Sequence, residues 1–231
     1  MRDLLHAFAE ALGLLASRDP EVAAIIGRSL AISGAATLLA TAAGVPLGYL
    51  LARGRFRGRT FVLALVNTGM GLPPVVVGLV VWLVLARTGP LGALGILYTR
   101  RAMVIAQFVI ATPLVVGVTA AAVQALPEEL PELLRSLGAG RLRTVWLVSR
   151  EAQLGLLAAV MAGFGGVISE VGASMTVGGN LRDSTRVLTT AIVTTTSRGE
   201  VAAALALGLI LLLLAFVVNL TLTLVQQRRD A

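Results

Sequence analysis

Glu170 is the most conspicuous chemical group in this 231-residue chain, because it sits between two uncharged runs, 152–169 and 171–181. A carboxylate inside an apolar helix is costly in hydrocarbon and normally faces protein or water. One carboxylate does not itself attract an anion, so two roles stay open. It either pairs with an arginine or fixes the turn at Gly172, or it lines a polar path through the membrane. Ser174, Thr176 and Asn180 follow it. Their hydroxyl and amide donors suit weak, releasable contact with a polar solute, and they suit equally the capping of a helix end. Little else in the chain supports catalysis. There is no cysteine, all 19 basic residues are arginine, and His6 is the only histidine. Thiolate chemistry, a P-loop lysine, histidine-rich metal clusters and Ser-His-Asp triads therefore have nothing to draw on. We expect no catalytic residue, no metal site and no cofactor bound by this chain.

The elements that carry these groups follow from composition. Hydrophobic residues make up 57% of the chain and charged residues 13%, against about 25% charged in soluble domains. Mean hydropathy is +0.90. The bilayer, not water, is the main solvent. The net charge of +7 resides in arginines of short loops without aromatic interleaving, which fits membrane orientation rather than nucleic acid. A spanning helix needs about 20 apolar residues. The runs predict an all-α integral membrane protein, a single domain over 1–231, with five transmembrane helices at about 29–52, 60–86, 102–126, 152–177 and 201–225. An N-terminal interfacial helix over 1–21 is expected before them, since Leu4, Leu5, Phe8, Leu12 and Leu15 form one stripe on a stretch too short to span. Asp3, His6 and Glu10 interrupt any signal-peptide pattern, so that segment is expected to be retained.

Two spans carry marks of their own. Gly69, Gly71, Pro73 and Pro74 interrupt the second. The helix there is expected to break beside protein or water and wall a pathway, or merely to kink against its neighbours. Gly155, Ala159 and Gly163 recur every four residues, as do Ala158, Ala162 and Gly166, which lets another helix come close. The threonine-rich stretch 187–197 is too short to span and reads as re-entrant or superficial. Nearby Arg182 and Arg186 suit either an anion funnel or, preferably, the docking of a partner protein. Four arginines clustered in 53–59 are hard to translocate, so the N-terminus is expected outside and the C-terminus in the cytoplasm.

The most informative segment is 128–151, which reads as a helix, a turn allowed by Gly138 and Gly140, and a second helix between two spans. Spacing alone leaves open an amphipathic loop resting on headgroups. Glu132-Leu133-Leu134, then Gly138, resembles the cytoplasmic coupling motif of ABC importer permeases, commonly Glu-Ala-Ala, three residues, Gly. Leu133-Leu134 replace the two alanines, and Arg150-Glu151 stand where Leu-Pro is usual. The run ISEVGASMTVGGN and then TRVLTTAI, within 168–192, resembles tungstate importer permeases; molybdate and sulfate permeases are similar at greater distance, including Leu72-Pro73-Pro74. The resemblance implies a type I ABC importer permease in a bacterial or archaeal cell membrane, acting as a homodimer. Its implied partners are two cytoplasmic ATP-binding cassette subunits, which hold ATP and magnesium, and an extracytoplasmic oxyanion-binding protein. It implies coupling roles for Glu132, Arg135, Leu137 and Gly138. A stand-alone channel or secondary carrier is the alternative of another class, and a membrane enzyme a weaker one.

Overall fold

A computed structural model describes residues 19–227 and Gly13 before them. The expected interfacial helix and the last arginines, Arg228 and Arg229, lie outside the described residues. The described elements are helical throughout. The first, α1 (Pro20–Arg53), begins where Asp19 Oδ1 accepts hydrogen bonds from the Glu21 and Val22 amides at 2.8 and 3.2 Å. This N-cap with proline in the first turn is a strong helix start. The helix therefore opens nine residues ahead of the uncharged run. At 1.5 Å per residue its 34 residues reach about 51 Å, so it projects beyond a hydrocarbon core of about 30 Å.

The second apolar run is divided. Helices α2 (Arg59–Met70) and α3 (Pro74–Leu85) are bent by 103° at the Gly71–Pro73 break. Proline has no amide hydrogen and pushes the preceding residue out of helical geometry, so two adjacent prolines end one helix and start another. A short 3-10 turn (Gly92–Leu94) leads to α4 (Arg100–Gln124), the central helix. Its tightest partner is α1. A Cβ on Gly44 would lie 2.8 Å from Val115, and one on Gly48 would lie 2.6 Å from Thr119, so glycine sets this approach.

Beyond α4 come α5 (Leu130–Ser136), α6 (Arg141–Glu151) and α7 (Gln153–Ile168), the last two bent by 72°. The row Gly155, Ala159, Gly163 packs on α4, where a Cβ at Gly155 would lie 2.3 Å from Ala122. The fourth apolar run does not continue as one helix. It stops at Ile168, and α8 (Gly172–Gly178) starts separately. Helices α9 (Leu188–Ser197) and α10 (Val201–Gln227) complete the bundle. Among the described residues, three helices, α1, α4 and α10, are long and apolar enough to cross a bilayer, and the two bent pairs meet the same test, giving up to five crossings if each pair is one. The main core joins Ile32, Val77, Val81, Met103, Ala173 and Val177, and so locks α1, α3, α4 and α8 together.

Candidate functional site

The segment between α4 and α7 is built as a rigid elbow. Leu137 and Gly138 close α5 with a Schellman turn: the Gly138 amide donates to Arg135 O at 2.9 Å and the Ala139 amide to Leu134 O at 3.0 Å. Gly138 has φ of +89°, a left-handed conformation that disfavours any Cβ. Thr144 is fully buried at the start of α6, donating to Gly140 O at 3.1 Å. Underneath, Leu130 and Leu134 pack on Val123, Val148 and Ala152, together with Tyr49 and Ala52 of α1. The opposite face is apolar and uncovered: Leu133 is 56% exposed, Leu137 76% and Leu142 90%. Glu132 and Arg135 are exposed on the same short helix.

Arginines fasten this elbow to the end of α1. One Nη of Arg53 lies 3.0–3.1 Å from the carbonyls of Val123, Leu126 and Pro127, at and just past the C-terminal end of α4. Arg59 donates to Leu51 O at 2.7 Å and Ala52 O at 3.3 Å, at the end of α1. Cations at a helix C-terminus also suit its dipole. Arg55 pairs with Glu128 at 2.7 Å in the open, and that guanidinium holds the Glu128 carboxyl below the usual carboxylate range. A groove of about 1030 Å³ separates the 53–59 linker from α5, with Arg59, Glu132 and Arg135 on its walls.

At the other candidate residues the structure shows how the broken spans are held. Glu170 is buried, its Oε1 accepts from the Ala173 amide at 2.8 Å, and its backbone carbonyl accepts from Thr189 Oγ1 at 2.9 Å. It caps α8 from within the break. Ser174 is buried and accepts from Gln107 Nε2 at 3.3 Å, while Thr176 donates to Gly172 O at 2.8 Å. Asn180, with φ of +49°, donates to Thr194 at 2.6 Å. Pro73 and Pro74 line a cavity of about 300 Å³ with Met70, Leu114 and Gly166, and Val75 beside them packs where a Cβ on Gly172 would lie, at 2.3 Å.

The 179–187 loop is clamped by arginines from separate elements. Arg182 forms an ion pair with Glu21, and Arg186 Nη1 lies 3.7 Å from the same carboxylate. Arg28 Nε donates to Arg186 O at 2.9 Å, and Arg100 Nε donates to Ser184 O at 2.8 Å. Arg28, Arg53, Arg59 and Arg100 are site-shaping residues that loop charge alone does not reveal. Their only sequence signal is position, at the edge of an apolar run where helix ends leave polar backbone.

Comparison with known proteins places the chain in one family. The family model for the binding-protein-dependent transport system inner membrane component matches residues 44–231. The tungstate uptake system permease protein TupB of Peptoclostridium acidaminophilum is 39% identical over 98% of this chain and 100% of its own length. A probable anion ABC transporter permease of Haloferax volcanii is 42% identical over 75% of this chain and 77% of its own. The molybdenum transport system permease protein ModB of Escherichia coli K12 is 30% identical over 80% and 85%. In fold, the chain is similar to an inward-facing MetNI methionine ABC transporter chain, with a TM-score of 0.73 at 19% identity over 90% of this chain and 95% of that one. With most of its length matched by the family model and its helical bundle matched by a transporter fold, the chain belongs to the binding-protein-dependent transport system inner membrane components, the permeases of ABC transporters.

Proposed function

We propose that this chain is the permease of an ATP-driven importer for a tungstate-like oxyanion. The observation that carries the substrate class is the 39% identity to a tungstate uptake permease across essentially the whole of both chains. The working unit in this reading is a homodimer in the inner membrane, served by two cytoplasmic ATPase subunits and an external binding protein. The 128–151 elbow is cytoplasmic, which puts the N-terminus outside and the C-terminus inside.

The exposed leucines support a docking role for the elbow. Leu133, Leu137 and Leu142 lie on a segment whose other face is already packed, and an uncovered apolar edge rimmed by Glu132 and Arg135 suits a protein partner. A push on α5 is passed through Leu130 and Leu134 to Val123 of α4 and to α6, and through Arg53 to α1. The elbow thus moves the inner ends of three elements as a unit. Glu170, Ser174, Thr176 and Asn180 hold the broken spans in register, and Pro73 and Pro74 stand on the translocation path. Arg182 and Arg186 brace the outer loop on which the binding protein docks.

The test is co-expression with the cognate ATPase and binding protein, followed by uptake of labelled tungstate into liposomes. ATP-dependent uptake that tungstate outcompetes molybdate and sulfate for is the expected result. Uptake by the chain alone, without ATP, overturns the reading.

A further inference from the structure

The 72° bend between α6 and α7 leaves a cavity of about 720 Å³ between these helices and α1. Its lining is graded along the chain. Ser149 and Arg150 stand at the α6 end, with the Arg150 guanidinium 5.5 Å from the centre of the Trp146 ring. Past Gln153 the wall becomes Leu156, Leu157 and Val160, facing Val45 and Thr41 of α1, the Thr41 hydroxyl itself being buried. From Gln153 to Val160 the helix rises about 10 Å, a large part of the roughly 15 Å depth of one hydrocarbon leaflet. The cavity is therefore charged and polar at one end and, with Thr41 the one exception, apolar for most of a leaflet.

Its polar end lies where an interface belongs. When α7 crosses the bilayer, α6 turns away from that axis by 72°. Trp146 is 57% exposed on α6, and exposed tryptophan favours the headgroup level. The helix carries Arg141, Arg143 and Arg150 against Glu151 alone. Among the described residues Arg150 engages the Trp146 ring and is in none of the ion pairs.

We propose that this cavity seats an anionic glycerophospholipid of the leaflet that α6 faces. Arg150 and Ser149 donate to its phosphate, Trp146 packs at the glycerol level, and an acyl chain follows Leu156, Leu157 and Val160. The cation at one end and the leaflet-deep apolar wall beyond it match an anionic headgroup joined to an acyl chain, and a second copy of the chain is the competing outcome that the test separates. The assignment rests on α7 crossing the membrane and is independent of the transported solute.

The chain lacks cysteine, so Leu157→Cys gives it a single thiol for a bimane label, read in the full-length chain with its co-purifying subunits in phosphatidylcholine nanodiscs after subtracting the signal of the cysteine-free chain treated in the same way. Brominated phosphatidylglycerol and brominated phosphatidylcholine are compared as quenchers at equal mole fraction. The expected preference for phosphatidylglycerol is about fivefold, the equivalent of about 1 kcal/mol per basic residue near an anionic headgroup. It is lost in Arg150→Gln and largely kept in Arg150→Lys, while a label at Leu212→Cys on α10 shows none. Equal quenching by the two lipids at Leu157→Cys overturns the proposal, as does a preference that survives Arg150→Gln. Disulfide-linked pairs of Leu157→Cys chains without quenching also overturn it and assign the cavity to a second copy.

Discussion

Gly138 and Glu170 each hold a turn, but by different means, and their substitutions separate accordingly. Nothing lies within 4 Å of where a Cβ on Gly138 would point, so the cost of Gly138→Ala is conformational alone, about 1 kcal/mol for a left-handed residue. That variant is expected to fold and to lose tungstate uptake severalfold, because the strain distorts the docking turn. Gly138→Asn, which tolerates this conformation better, should retain more uptake. Equal, wild-type uptake in both variants removes the elbow from coupling. At Glu170 the groups in play are one side-chain oxygen and one amide, Oε1 and the Ala173 N–H. Glutamine preserves the acceptor and alanine does not. Glu170→Ala should cost about 1 kcal/mol, as other lost helix caps do, and Glu170→Gln markedly less, measured as thermal stability in detergent. Folding equal to wild type in both variants, with transport lost in Glu170→Gln, returns the carboxylate to a pathway role.

Among the elements, the close approaches of α4 to its neighbours are set by missing side chains. A Cβ on Gly155 would meet the Ala122 Cβ at 2.3 Å, and overpacking of this kind costs about 1–3 kcal/mol. Gly155→Ala should destabilise by that amount, and adding Ala122→Gly should restore part of it; no coupling between the two substitutions contradicts the packing. Arg53 joins α1 to α4 through carbonyls. Arg53→Ala should cost about 2 kcal/mol, the scale of a hydrogen bond to a charged group, with Arg53→Lys intermediate because its ammonium keeps the charge but has to reach the three carbonyls that a single guanidinium nitrogen approaches. Much of this architecture is legible in the sequence: uncharged runs mark the apolar helices, the prolines mark the break at 71–73, and glycine marks the elbow turn. The break at 169–171 is legible only in part: Glu170 raises a turn at Gly172 as one of its possible roles, yet the uncharged runs read as one continuous span over 152–177. Composition there stays apolar on both sides of Glu170, and what holds the break is the Glu170 carboxylate capping the start of α8 together with a hydrogen bond from Thr189, nineteen residues on. Loop charge likewise points Arg53 and Arg59 at orientation, whereas in the fold each satisfies backbone carbonyls that only the three-dimensional ends of α1 and α4 bring within reach.

For the whole molecule, the packing contacts fix the relative direction of every long element. Gly44 faces Val115 and Gly48 faces Thr119, so α1 and α4 run parallel. The chain must return between them, and the bent pair α2 and α3 is the segment available to do so. Gly155 faces Ala122 while Gly163 faces Val115, so α7 is antiparallel to α4. Val22 and Ile25 of α1 share a core with Ala206, Leu207 and Ile210 of α10, which brings the first parts of these two helices together. Directions thus alternate along the chain, and the elbow lies at the opposite end of the bundle from α9. A cysteine-free chain makes this testable with single thiols at exposed serines, Ser136→Cys on α5 and Ser197→Cys at the end of α9. In intact spheroplasts a membrane-impermeant maleimide should label Ser197→Cys and spare Ser136→Cys, with both labelled after permeabilisation. The reverse pattern inverts the proposed orientation and takes the elbow away from a cytoplasmic ATPase. Labelling of both sites from outside contradicts the alternation itself, since no arrangement with α7 antiparallel to α4 across one bilayer puts those two serines on the same side.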